Sequence, residues 1–204
     1  MSRGVTAADA LLRLREGNTR FAANARGPGS LLSAERRAAL AIAQEPFAIV
    51  LGCSDSRVPV EIVFDQGPGD LFVIRVAGNI VAPSLIGSVE FAAERFGTRL
   101  VVVLGHSSCG AIAATLEELH RPSTNQSPNL KDIVDRIRPA VKDIDDEHAA
   151  MRANILASVD QLRHGSAIIE GLVASSGLLI VGAWYELETG VVRFLEETLG
   201  NLQQ

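Results

Sequence analysis

Apolar residues recur along this chain in two rhythms. Near the N-terminus they cluster on a helical face, through Leu11, Leu12, Leu14 and Phe21, behind Thr6 as N-cap and Asp9 in the first turn. Gly27, Pro28 and Gly29 interrupt that pattern. Ser33 with Glu35 then opens a second helix, which must stop before Pro46. Beyond that proline the rhythm changes to short unbroken apolar runs, at Phe47 to Leu51, Leu71 to Val76, Leu100 to Leu104 and Leu178 to Tyr185. Runs of this length are those of strands buried on both faces of a parallel sheet.

Between the runs lie helical stretches. "VEIVFD" reads as a short helix before the turn "GPGD", and Ser84 to Phe96 as a helix capped by Ser84 and closed by Gly97. Further helices are predicted over Cys109 to Leu119, Leu130 to Ile144, Ala149 to Arg163 and Ser166 to Ser175, with "RPSTNQSPN" as a polar loop. After the last long run, "LETG" and "VVRFLEE" read as a hairpin return. Alternating strands and helices imply an α/β fold, a mostly parallel sheet of about four strands plus an antiparallel edge strand, flanked by helices. We expect one domain over residues 1–204, an N-terminal helical arm at 1–45 leading into an α/β core at 46–204.

Composition adds exclusions. The 204 residues are 47% hydrophobic and 21% charged, the net charge is -5, and no long run of one sign occurs. That balance gives no electrostatic footprint for nucleic acid or an anionic membrane surface. No apolar run is long enough for a membrane span and no signal peptide is evident at the N-terminus, so a cytoplasmic address is expected. Two cysteines, Cys53 and Cys109, are too few for a disulfide scaffold and are expected as thiols or ligands.

The chemistry sits where two apolar runs end. The first runs into "GCSDSRV", whose Cys53, Asp55 and Arg57 alternate and would share one side of an extended chain. The third leads into "GHSSCG", with His106 and Cys109 three apart at the turn into a helix. Cys53, His106 and Cys109 together suit zinc, as two thiolates and an imidazole that leave a fourth position. Taken singly, each has a plainer reading: a cysteine as a small buried hydrophobe, a histidine as a structural group. Asp55 is open to two roles, as a further metal ligand or as the ion-pair partner of Arg57. His120, His148 and His164 have no cysteine nearby in the sequence and read as exposed polar residues.

These paired motifs, C-x-D-x-R in "CSDSR" and H-x-x-C in "HSSCG", resemble those of the β-class carbonic anhydrases. The likeness extends through "VPVEIVFDQGPGDLFVIRVAGNIV", "GSVEFA", "VVVLGHSSCGAI" and "GAWYELETGVV", roughly residues 35 to 195. The resemblance implies a zinc enzyme that reversibly hydrates carbon dioxide, working as a homodimer or homotetramer. It makes Cys53, His106 and Cys109 the zinc ligands, with Asp55 a possible fourth in a closed state. It makes Asp55 and Arg57 the dyad that orients zinc-bound hydroxide, and Gln66 the glutamine that helps hold carbon dioxide, near the neighbouring subunit's metal. It implies an N-terminal arm that wraps the partner.

Two thiolates leave such a centre formally neutral and acidify its water less than three imidazoles would, so activity is expected to rise with pH above neutral. A subset of the family closes its site around bicarbonate held by Trp, Arg and Tyr. Arg75 and Tyr185 fall at two of those positions, but Val50 stands at the third, which predicts that this regulation is absent or altered. Trp184 is more simply read as core of the last long strand. Two other functions fit the same residues: hydrolysis of carbonyl sulfide or carbon disulfide, and a non-catalytic zinc or redox module with Asp55 closing the site.

Overall fold

A computed structural model describes residues 5–25, 33–122 and 127–199. Five strands, β1 (Ala48–Gly52), β2 (Leu71–Arg75), β3 (Leu100–His106), β4 (Leu179–Tyr185) and β5 (Val192–Phe194), form one sheet in the order β2-β1-β3-β4-β5. The pairs β1·β2, β1·β3 and β3·β4 are parallel, and β5 returns antiparallel to β4 as the sequence pattern predicts.

The unbroken apolar runs are explained by burial on both faces. Ile49 and Leu51 of β1 and Val101 and Val103 of β3 point into one core; Ala48 and Val50, with Leu100, Val102 and Leu104, point into the other. The first core is roofed by α4 (Pro83–Arg95), α5 (Gly110–His120), α6 (Pro128–Val141), α7 (Glu147–His164) and α8 (Ala167–Ser175). The second is covered by α1 (Ala7–Ala22) and the short α3 (Val60–Val63).

Helix α1 starts as its sequence dictates, with Thr6 accepting from the Asp9 amide. It buries Ala10, Leu11 and Leu14 in the chain's own second core. Close approach depends on Gly17, where a Cβ would stand 1.9 Å from the Phe64 carbonyl oxygen. Asn18 then ties three strands of chain together, donating to Val63 and Gly190 and accepting from Val192. Helix α1 thus seats Ala10, Leu11 and Leu14 on its own chain while Leu12 stays exposed.

Several boundaries differ from expectation for local reasons. Helix α4 is not capped by Ser84; it begins one residue earlier at Pro83, whose missing N–H costs nothing at that position. Helix α2 (Ala34–Leu40) is capped by Ser33 but ends well short of Pro46, and it buries no residue. Helices α6 and α7 begin earlier than predicted because Ser127 and Asp146 cap them. The break at 27–29 and positions 123–126 of the polar loop lie outside the described residues. Among the described residues, no helix is long and apolar enough to cross a membrane.

Candidate metal centre

Strand register sets the site. Gly52 ends β1 opposite Leu104 of β3, so Cys53 leaves its strand beside the last residues of β3, where His106 ends the neighbouring one. Ser108 then takes a left-handed turn, φ 53°, and Cys109 becomes the N-cap residue of α5. The ligand atoms of Cys53, His106 and Cys109 come within 4.8 Å of one another, and all three residues are buried. This is the carboxyl rim of the sheet, the usual ligand edge of an open α/β fold.

The histidine is poised for a cation. Its Nδ1 lies 2.9 Å from the Ser107 carbonyl oxygen, which fixes the proton there and leaves Nε2 as an acceptor. Nε2 is fully buried and has no hydrogen-bond partner. An orphaned buried lone pair is costly, and between two thiols it fits a metal ion. The donor set itself, S, N and S, suits zinc.

The two thiols divide their protons unequally. Cys53 is drawn down to about 4, chiefly because Cys109 donates to it; burial opposes this, while His106 and the amide of Gly78, 3.3 Å from its sulfur, reinforce it. Cys109 is pushed up by the same shared hydrogen bond and by burial. For His106, burial works against the cation, but the adjacent Cys53 outweighs it and the net shift is upward. The cluster therefore holds one negative charge readily and resists a second until a cation arrives.

Both carboxylate oxygens of Asp55 are engaged by Arg57. The grip is bidentate, Nε to Oδ1 at 2.9 Å and Nη2 to Oδ2 at 2.7 Å, and the Arg57 amide donates to the same Oδ1. These bonds hold the carboxyl well below the usual carboxylate range, against the opposing effect of partial burial. Asp55 Oδ2 remains 3.9 Å from His106 Nε2, at the margin of the triad. Arg57 Nη2 also donates to the Ser108 carbonyl, so one guanidinium spans both ligand-bearing loops.

Other candidates stand apart. Gln66 is buried, but its amide donates to the Phe64 carbonyl at 2.8 Å and accepts from Arg13 at 3.0 Å, with no bond to the triad of its own chain. Arg75 donates to the Cys53 and Asp55 carbonyls, at 2.9 and 2.6 Å. Val50 is wholly buried in β1, and Tyr185 lies 6.3 Å from Phe21 between ring centres. Trp184 is half-buried rather than fully core, edge-on to His148. His120, His148 and His164 are exposed, as expected. Sequence reasoning missed the Ser107 hydroxyl, which donates to Glu186 and accepts from the Leu187 amide, pinning the His106 loop to the far end of β4. It also missed Gly78.

Comparison with known proteins agrees with this geometry. The family model described as "Carbonic anhydrase" matches residues 48–192. The carbonic anhydrase of Mycolicibacterium smegmatis is 41% identical over 196 residues, covering 93% of this chain and 93% of that one. Among solved structures, the β-carbonic anhydrase CcaA superposes with a TM-score of 0.69 at 27% identity, covering 91% of each chain. A chain from the crystal structures of two tetrameric β-carbonic anhydrases of Sordaria macrospora gives a TM-score of 0.66 at 25% identity, over 78% of this chain and 85% of that one. The two ligand loops at the carboxyl rim of the sheet and these matches lead to one assignment: the chain belongs to the carbonic anhydrase family, in its β class.

Proposed function

We propose that this protein reversibly hydrates carbon dioxide to bicarbonate and a proton at a zinc centre held by Cys53, His106 and Cys109. The observation that carries the reading is the unpartnered, buried Nε2 of His106 facing two thiols while Asp55 is occupied by Arg57. When bound, zinc supplies Lewis acidity that makes water a nucleophile near neutral pH.

The chain's own residues do the rest. Arg57 keeps both oxygens of the Asp55 carboxylate engaged, which preserves a fourth position for solvent. Asp55, ionised throughout the working range, accepts a hydrogen bond from the O–H of the attacking water and so aims an oxygen lone pair at the carbon of the substrate. The net step adds water across one C=O bond of carbon dioxide; one water proton remains on the product and the other leaves to solvent. Gln66, with one amide hydrogen not used by Phe64, is assigned to holding carbon dioxide at the partner subunit's site in a homodimer or homotetramer. Exposed Leu12 on α1, Ile42 and Phe91 offer apolar surface that such an assembly would cover. Arg75 is already committed to two carbonyls and Val50 carries no polar group, so a bicarbonate pocket of the Trp–Arg–Tyr kind is not assigned.

The deciding experiment is metal analysis of the purified chain together with a stopped-flow hydration assay. We expect about one zinc per chain and a rate that rises with pH above neutral. A metal-free chain, or a zinc-loaded one without activity across that range, overturns the proposal.

A further inference from the structure

The backbone donors on Cys109 come from its own helix, Ala111 and Ile112, whereas Cys53 also takes one from a segment far away in sequence. That donor, the Gly78 amide, belongs to the turn Ala77–Asn79 between β2 and α4, where Gly78 (φ 72°) and Asn79 (φ 43°) are consecutively left-handed. Within the turn the Asn79 amide donates to the Val76 carbonyl at 3.2 Å, which leaves the Gly78 and Asn79 carbonyls to be held from outside. Helix α7 holds them: Asn154 Nδ2 donates to the Gly78 carbonyl at 2.8 Å, and Ser158 Oγ to the Asn79 carbonyl at 3.1 Å. Asn154 and Ser158 stand four apart on one face of α7, each only 3% exposed. Polar groups enclosed at that depth are unfavourable unless bonded, and an alanine and a leucine would serve packing alone.

Two glycines bring α7 close enough. A Cβ at Gly105 of β3 would meet Ile155 Cδ1 at 2.6 Å, and one at Gly182 of β4 would meet Ile155 Cγ2 at 2.8 Å. The turn itself requires glycine as well, since a Cβ on Gly78 would lie 2.8 Å from Ile137 Cδ1.

We propose that Asn154 and Ser158 are positioning residues for the metal centre, holding the Gly78 turn so that its N–H stays on Cys53 Sγ and tempers the sulfur's donation to the metal. This rests on the zinc reading above. An N–H bond to a thiolate withdraws electron density from sulfur, so the metal keeps more positive charge and acidifies its water further. Helix α7 contributes no ligand, yet it sets how strongly one ligand donates.

The test uses the cobalt(II)-loaded chain and its thiolate-to-cobalt charge-transfer band. Without the N–H bond the sulfur lone pair rises in energy, so Asn154→Leu and Ser158→Ala are expected to move the band to longer wavelength. The alkaline rise in hydration should shift to higher pH, with activity at neutral pH about 10-fold lower, and Ser158→Thr should restore both. A purely structural role would lower activity evenly while leaving the band where it is. Should Asn154→Leu not fold, the Ser158 pair decides alone. An unmoved band and an unmoved pH profile in the folded variants overturn the inference. Failure of the unsubstituted chain to take up cobalt sinks the zinc reading itself, and is seen before any variant is made.

Discussion

At the scale of single residues, the centre depends on unequal protonation and on one guanidinium. Because Cys53 already favours the thiolate and Cys109 is pushed up, zinc uptake at pH ~9 should take roughly one proton from the two thiols, with one more at most from the metal-bound water. Titration calorimetry in buffers of different ionisation enthalpy measures this, and three protons per zinc would contradict it. Asp55 titrates far from the working range. Its folded-state pKa is depressed, so the stabilisation from Arg57 is fully present above the unfolded value of about 3.9 and is lost only as pH falls through the folded one. Asp55→Ala should therefore abolish most hydration without moving the neutral-to-alkaline rise, and metal analysis should still find about one zinc per chain. Loss of zinc with activity would instead make Asp55 a ligand. The triad was legible in the sequence because soft donors at the ends of two apolar runs are rare. Asp55 stayed open between two roles, and the bidentate bond to Arg57 decides its conformation. Gly78, Asn154 and Ser158 were not legible: they meet across distant segments, and a buried polar contact leaves no periodic trace.

At the scale of elements, what could be read was rhythm and what could not was approach. Strand positions followed from continuous apolar runs, and every expected strand is present. The start of α4 was misjudged because Ser84 is a good cap, while Pro83 at the first helical position is a better start signal. Helix α1 was recognised, but its seat was not, since that depends on the fit of Gly17 against Phe64. Gly17→Ala raises intrinsic helix propensity by roughly 1 kcal/mol, yet the new methyl meets a backbone carbonyl that cannot give way easily. The clash should win, lowering stability by about 1–3 kcal/mol. Thermal unfolding checks this; a melting temperature at or above that of the unsubstituted chain would show that α1 is not seated there. The same displacement should disturb Arg13 and through it Gln66.

At the scale of the whole molecule, the proposed metal would join two loops of a sheet that is already packed on both faces. Stripping zinc with a chelator should abolish hydration but leave the far-ultraviolet circular dichroism nearly unchanged, because Cys53 and Cys109 are two members of one large apolar core and the sheet is packed on both faces by many others. A ligand bound at 100 to 1,000 times its dissociation constant contributes about 3–4 kcal/mol, which for a chain of this size lowers the melting temperature by roughly 5–15 °C on removal. Unfolding upon chelation would mean that the centre is structural. Sedimentation at micromolar concentration should find a dimer or larger species; a stable, fully active monomer would remove the task assigned to Gln66.

The strand order has a consequence for synthesis. β1 and β2 can pair first, after which β3 joins the free side of β1, β4 the free side of β3, and β5 that of β4. No strand ever has to wedge between two already joined, so the sheet can be laid down in the order in which the ribosome delivers it. Cys53, His106 and Cys109 have all emerged well before α7, so a nascent chain can gather its donors while the helix that trims their electronic character is still being made.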